Sequence, residues 1–204
     1  MILLFDLDNT LLDTEKFKKD KSFIFGLSPE ENKIHGDLLF KNKGLHYNPK
    51  THLQFLLKSG RIKTETGRRK IEHRYQKLVE EIDRYLFPEA EKTLAYLKKQ
   101  GHRLILMTLG DPSLQKSKVD NSRIKKYFEK TIYETKDKSK NKFIKQLARL
   151  KQDILIINDK ASEAMAIKNM LGKKARIFLV TGPDSRDAKR KEKIHKSIAE
   201  LRNI

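Results

Sequence analysis

The sequence predicts a doubly wound α/β fold, in which a mostly parallel sheet carries helices on both faces. Short apolar runs such as "MILLFD", "RLILMT" and "DILIIND" indicate buried strands, and in the second half of the chain they alternate with helical patterns. That alternation is typical of parallel strands joined by crossover helices. A long section without a strand pattern follows the first run. We therefore expect an all-helical subdomain inserted after the first strand.

The section after "MILLFD" predicts three or four helices. Ser28 and Asn48 each precede a proline, a pattern typical of a helix N-terminus. Apolar residues at helical spacing predict a further helix over about residues 64–85. We place the helical subdomain at residues 14–87, and the α/β core at residues 1–13 and 88–204.

The core continues with alternating elements. Pro88 begins a predicted helix that Gly101 ends, and the strand "RLILMT" follows. Next come a short strand in "KTIYET", a helix over about residues 143–150, the strand "DILIIND", a helix in "SEAMAIKNMLG" and the strand "ARIFLVTG". Ile194, Ile198 and Leu201 predict a final amphipathic helix.

Composition excludes several classes of protein. The chain has 204 residues, enough for one core domain with an insert, and no cysteine. A disulfide framework, a thiolate zinc site and a cysteine nucleophile are therefore excluded. The N-terminus lacks a signal-peptide pattern, and no run approaches the ~20 apolar residues that span a bilayer. We expect a soluble, cytoplasmic protein without a membrane partner.

The formal net charge of +19 comes from 46 Lys and Arg against 27 Asp and Glu. It fits a nucleic-acid binder, an enzyme for small anionic substrates, or simply a lysine-rich surface. The basic residues are spread along the chain rather than grouped in one stripe, which favours the third interpretation. Nucleic acid as a partner stays open but is not favoured. The oligomeric state also stays open, as a monomer or a weak dimer.

Polar residues follow the predicted strands where parallel sheets bind ligands, at the carboxyl ends. Asp6 and Asp8 come after the first strand, Thr108 ends the second predicted strand, and Asp159 follows "ILIIN". Carboxylates are hard oxygen ligands suited to Mg²⁺, and a dication offsets the repulsion between neighbouring acids. A phosphate fits between such a metal, a hydroxyl and a lysine.

These motifs together resemble the haloacid dehalogenase superfamily, in its phosphatase branch with a helical cap. They are "DLDNT" at residues 6–10, "LILMT" ending in Thr108, and "ILIINDKASE" containing Asp159 and Glu163. Their order and strand contexts match the superfamily over nearly the whole chain. The resemblance implies a Rossmann-like core and a cap that excludes water and selects substrate.

The resemblance also implies a role for each residue. Asp6 attacks phosphorus and forms an aspartyl-phosphate, and Asp8 protonates the leaving oxygen and then activates water. Asp6, the backbone carbonyl of Asp8 and Asp159 hold Mg²⁺. Thr108 and a lysine neutralise the phosphoryl oxygens. Counting back from Leu147 favours Lys138 for that lysine.

The chain departs from the family pattern at two positions, and the lysine has an alternative. Asn158 stands where Gly or Ser is usual, and Glu163 replaces an Asp. The longer Glu163 could bind the metal through a water or anchor a nearby loop. Lys136 is the second choice for the phosphate-binding lysine.

We expect a Mg²⁺-dependent phosphatase that acts on a small phosphorylated metabolite. The acid at Asp8 argues against the dehalogenase and phosphonatase branches, which lack one there. One alternative is a phosphomutase with the same residues. The other is a basic nucleic-acid-binding protein on a degenerate fold of this superfamily.

Overall fold

The computed structural model describes residues 1–182 and 194–203, which fall into two compact units. The sheet unit comprises Met1–Asp13, Leu86–Leu109 and Arg123–Ile204, and the helical unit comprises Thr14–Tyr85 and Gly110–Ser122. The segment 110–122 thus groups with the helical unit, although it lies within the range 88–204 predicted for the core.

Regular elements alternate along the described chain. The strands are β1 Ile2–Phe5, β2 Arg103–Leu109, β3 Lys130–Glu134, β4 Ile154–Asn158, β5 Ala175–Val180 and β6 Ile194–His195. The helices are α1 Thr14–Ile24, α2 Pro29–Leu39, α3 Pro49–Lys58, α4 Glu65–Glu80, α5 Ala90–Lys99, α6 Pro112–Asp120, α7 Lys142–Arg149 and α8 Ala161–Leu171. Short 3₁₀ helices span Lys41–Lys43, Ile82–Tyr85, Arg123–Tyr127, Lys138–Lys140, Gly172–Lys174 and Ile198–Asn203.

The described strands form one sheet in the order β3-β2-β1-β4-β5-β6, and every pair in it is parallel. One face packs on α7 and α8, where Ile2 and Leu4 join a buried apolar cluster with residues of both helices. On the other face, Phe5 meets Phe128 edge to face at 5.9 Å, and α5 contacts β2. The predicted α/β class with a mostly parallel sheet is confirmed.

Two helices of the helical unit, α2 and α3, begin at the predicted caps. Ser28 accepts a hydrogen bond from the backbone of Glu31, whose carboxylate accepts one from the Ser28 N–H, a reciprocal capping box. Asn48 accepts from Thr51 N–H at the start of α3. Four α-helices lie in residues 14–85, where the sequence predicts three or four helices. That this unit acts as a cap stays a prediction.

Two parts of the core differ from expectation. The predicted amphipathic helix through Ile194, Ile198 and Leu201 is wrong, because β6 pairs with β5 and a 3₁₀ helix follows. Spacings of three and four residues do not separate a short 3₁₀ turn from an α-helix end. Much of the charged tail, residues 183–193, lies outside the described residues. Helix α6, capped by Asp111, has no counterpart among the predicted elements.

Within the described part of the chain, no helix combines the length and apolar character needed to cross a membrane.

Candidate active site

The central strand β1 brings the predicted site residues to one edge of the sheet. Phe5 lies opposite Leu106 of β2 and Ile157 of β4, and the Asp6 N–H donates to the Ile157 carbonyl at 2.9 Å. Asp6 comes one residue after Phe5 and Asp8 three residues after it, while Thr108 and Asp159 each come two residues after the partner of Phe5 on their own strand. Because all three strands run parallel, their carboxyl ends share one edge, at the point where the strand order reverses.

The loop after β1 is folded tightly on itself. The Leu7 carbonyl accepts backbone hydrogen bonds from residues 10–12 at 2.9–3.3 Å. Asn9 adopts a left-handed conformation with φ of 57°, which asparagine tolerates better than most residues. Its N–H donates to the Leu12 carbonyl at 2.7 Å. This compact turn fixes the backbone that carries Asp6 and Asp8.

Lys138 is the lysine that reaches Asp6. Its ammonium lies 2.5 Å from Asp6 Oδ1, and both side chains are buried. Asp137 accepts from the Ser139 N–H and so holds the 3₁₀ turn that carries Lys138. The alternative, Lys136, is exposed. The geometry therefore brings Lys138, and not Lys136, to the carboxylate at the end of β1.

Glu163 sits on α8 and holds the same lysine from another side. Its Oε2 lies 3.0 Å from Lys138 Nζ, and its Oε1 lies 3.3 Å from Lys160 Nζ. Lys138 therefore bridges Asp6 and Glu163. Of the two roles considered for Glu163, anchoring a neighbouring group is the one with a visible contact.

Burial and the neighbouring charges together set the ionisation of the Asp6–Lys138 pair. It raises the pKa of Asp6 to about 6; the ammonium of Lys138 opposes this shift, while the charges of Glu163 and Asp8 add to it. Burial also disfavours the charged form of Lys138, but the two carboxylates outweigh burial, and the net pKa shift of Lys138 is upward. At neutral pH the pair is thus an ionised carboxylate beside an ammonium.

Thr108 presents a hydroxyl with no internal use. The residue is fully buried at the end of β2, and its Oγ1 has no hydrogen-bond partner in the described parts of the chain. An unpartnered buried hydroxyl costs free energy unless a ligand supplies the partner. The hydroxyl is therefore available to a group bound at this edge of the sheet.

Asp159 is fixed through its backbone and by a close neighbour. Its N–H donates to Thr10 Oγ1 at 3.1 Å, which ties the loop after β1 to the end of β4. A Cβ added to Gly182 would lie 2.6 Å from Asp159 Cβ and 2.7 Å from its Oδ2. Asn158, the departure from the family pattern, accepts from the Lys160 N–H at 2.8 Å and supports the start of α8.

The donor chemistry at this edge fits Mg²⁺. In residues 1–182 and 194–203 no group of three or more His, Cys, Asp or Glu side chains could hold a metal ion. The predicted set does not need such a group, because it uses the carboxylates of Asp6 and Asp159 and the backbone carbonyl of Asp8. All are the hard oxygen donors that Mg²⁺ favours, with water completing its coordination. Asp8 is half-buried.

Two contacts were not foreseen from the sequence. Thr10 lies within the "DLDNT" motif, but nothing in its type indicated that it would accept the Asp159 N–H. Gly182 is the last residue of the stretch "ARIFLVTG", and a glycine just past the end of a strand was the available signal of a close approach.

A model of the haloacid dehalogenase-like hydrolases matches residues 1–171. The chain belongs to this family. A search of curated protein sequences found no match.

Solved structures of this hydrolase family share the fold over the whole chain. A protein from Burkholderia xenovorans described as a haloacid dehalogenase-like hydrolase is similar with a TM-score of 0.74 at 16% identity, covering 100% of this chain and 95% of that one. A protein from Thermotoga maritima described as a β-phosphoglucomutase gives 0.65 at 18%, covering 100% and 97%. The L-2-haloacid dehalogenase of Xanthobacter autotrophicus gives 0.62 at 12%, covering 100% and 98%. The structural similarity establishes the fold, but at these sequence identities it does not identify the substrate.

Proposed function

We propose that the chain is a Mg²⁺-dependent phosphatase that hydrolyses a small phosphate monoester through an aspartyl-phosphate. The observation that carries the proposal is the meeting of Asp6 with Lys138 at the end of β1. The 2.5 Å contact supports the proposal, because a carboxylate can act as the nucleophile and a buried ammonium beside it can take up charge on a transferring phosphoryl group.

In the first step Asp6 attacks the phosphorus, and the bond from phosphorus to the ester oxygen breaks. Asp8, two residues further along the tight turn, donates its proton to the leaving oxygen. The products are an alcohol and a phosphoryl group held on Asp6. Ionised Asp6 is required, and it is the prevailing form above its pKa of about 6.

In the second step water attacks the phosphorus of the aspartyl-phosphate. Asp8, now ionised, accepts a proton from that water, and the bond from phosphorus to the Asp6 oxygen breaks. Inorganic phosphate leaves, Asp6 is again a carboxylate, and Asp8 is again protonated. The same group thus serves as acid and then as base.

Lys138 and Thr108 bind the phosphoryl oxygens. Lys138 is held in place by Glu163 and contributes positive charge without needing to be ordered during the reaction. Thr108 contributes its hydroxyl, which has no hydrogen-bond partner among the described residues. Asp6, Asp159 and the Asp8 carbonyl would hold Mg²⁺, which when bound offsets the negative charge shared by the two aspartates and the phosphate.

Asp8 favours a phosphatase over a dehalogenase, since a halide leaving group takes no proton and gives a second carboxylic acid no task. The test is hydrolysis of an aryl phosphate with and without Mg²⁺. We expect activity that chelation removes and Mg²⁺ restores, no turnover by Asp6→Asn, and roughly a 10²–10⁴-fold loss in Asp8→Asn.

Asp153→Asn is a matched control. Asp153 is an exposed carboxylate directly before β4, at the opposite edge of the same sheet, and we expect it to keep full activity. Turnover that persists in Asp6→Asn would refute the mechanism. Recovery of the phosphoryl group on a sugar rather than as inorganic phosphate would show a phosphomutase.

A further inference from the structure

Lys21 is a buried cation in the helical unit, outside the site described above. It lies on α1, is 5% exposed, and places its ammonium 3.8 Å from the centroid of the Tyr47 ring. A ring face attracts a cation, but this attraction is smaller than the cost of removing an ammonium from water. A lysine that carries its charge in this position is therefore expected to have an anionic partner.

No acid of the described chain fills that role. Within residues 1–182 and 194–203, Lys21 makes no ion pair, and the charges that act on it are those of two other lysines, Lys18 and Lys118. Burial first, and then these two positive charges, lower the pKa of Lys21 to about 7. In the part of the chain that the structure describes, the charged groups acting on Lys21 are thus all cations.

The polar neighbours on other elements cannot supply negative charge either. Burial raises the pKa of Tyr47 well above its usual value, so its hydroxyl stays protonated; it lies 3.2 Å from His52 Nδ1. Burial, and then the charge of Lys21, lower the pKa of His52 to about 3, so that ring is neutral. Among the described residues, neither a phenolate nor any other anion offsets Lys21.

We propose that Lys21 anchors an oxyanion-binding site within the helical unit, close to the positive charge of Lys118, and that this site takes a phosphate or carboxylate group. Lys118 on α6 is also 5% exposed, and its ammonium lies 5.4 Å from the Phe17 ring centroid. The ammonium of Lys21, set against an aromatic ring and near a second positive charge, suits an oxyanion, because hydrogen bonds between charged partners strengthen where water is excluded. The proposal concerns this unit alone and does not depend on the phosphatase activity.

The test follows the titration of Lys21 itself, by NMR of the full-length protein with ¹³C-labelled lysine in Mg²⁺-free chloride buffer. The Lys21 signal is assigned as the one lost in Lys21→Met. Three samples at equal ionic strength contain chloride only, inorganic phosphate or malonate. We expect the midpoint to rise by about one pH unit or more when the preferred oxyanion is present. The larger shift identifies phosphate or carboxylate as the ligand class.

Binding of the same two probes to variants provides a second readout. Lys21→Met keeps the length of the side chain and removes its charge, and Lys19→Met makes the same change at an exposed position of α1. We expect the Lys21 variant to lose the binding that the Lys19 variant keeps. A Lys21 midpoint unmoved by both anions would overturn the proposal, as would equal binding by the two variants. If Lys21→Met does not fold, the wild-type titration decides, with the signal assigned from Lys21→Arg.

Discussion

Replacing Thr108 with valine separates a catalytic hydroxyl from a structural one. Valine has nearly the same shape and only exchanges the hydroxyl for a methyl group. In the unliganded protein, Thr108 Oγ1 is fully buried and has no partner in the described residues. A hydroxyl used only to bind substrate should therefore lower stability in the free enzyme and increase activity.

The expected magnitudes have opposite signs. Leaving a buried hydroxyl unpaired costs about 1–3 kcal/mol, so Thr108→Val should raise the free energy of unfolding by a similar amount. A hydrogen bond to a charged phosphoryl oxygen contributes about 1.5–3 kcal/mol, and its loss should lower kcat/KM by about 10- to 150-fold.

Thr93 provides a matched control in the same unit. It lies on α5, is fully buried, and likewise has an Oγ1 without a hydrogen bond to any described residue. Thr93→Val should gain stability to a similar extent and keep its activity. Urea unfolding and hydrolysis of an aryl phosphate with Mg²⁺ measure the two quantities. A Thr108→Val protein that is less stable and fully active would refute the reasoning.

Three further changes test other contacts. Gly182→Ala should raise the Mg²⁺ concentration needed for half-maximal activity, because the added Cβ would displace Asp159; an unchanged Mg²⁺ activation curve would contradict this. Glu163→Gln should lower kcat by roughly 10–100-fold, since Lys138 loses a charged anchor, and steady-state kinetics would show it. In phosphate-free buffer, Lys21→Met should be more stable than the wild type below about pH 7, because burial lowers the folded-state pKa of Lys21. That advantage should shrink by about 1.4 kcal/mol per pH unit as the pH rises from 7 towards 10.5, the pKa at which Lys21 loses its proton in the unfolded chain. Urea unfolding of both proteins across this pH range measures the difference in stability. A difference that stays constant with pH would show that the pKa of Lys21 is unperturbed.

Most of the fold was predictable because the strands before β6 carry their own signal. "MILLFD", "RLILMT" and "DILIIND" are continuous apolar runs, as strands buried on both faces require. Helix caps such as Ser28 and Asn48 act through neighbouring residues, and so they can be recognised locally. The tail was mispredicted because β6 is defined by its backbone hydrogen bonds to β5. The spacing of apolar side chains does not reveal that pairing.

Only part of the site was predictable. The order of acids and hydroxyl along the chain placed Asp6, Thr108 and Asp159 at one edge, and counting towards α7 selected the lysine that the structure brings to Asp6. The hydrogen bond from the Asp159 N–H to Thr10 could not be predicted in this way. It depends on backbone direction in a turn, which residue types specify weakly.

The burial of the Lys21 side chain could not be predicted from the sequence either. The sequence presents Lys21 as one lysine among many in "KFKKDK", and the spread of basic residues along the chain favours a lysine-rich surface. Helical spacing places Phe17 and Lys21 on one side of α1, but only tertiary packing against the Tyr47 ring determines that this side is buried.

The central position of β1 has a consequence for how the enzyme acquires activity. Ile2 pairs with Arg103 and with Ile154, about 100 and about 150 residues away along the chain. Contacts across such separations form slowly, because loop-closure entropy opposes them until much of the sheet is in place. The helices of the helical unit depend on local contacts and face no such barrier. Asp6, Thr108 and Asp159 come together only when three distant segments align. Recovery of turnover during refolding should therefore coincide with completion of the sheet and follow the appearance of helical signal.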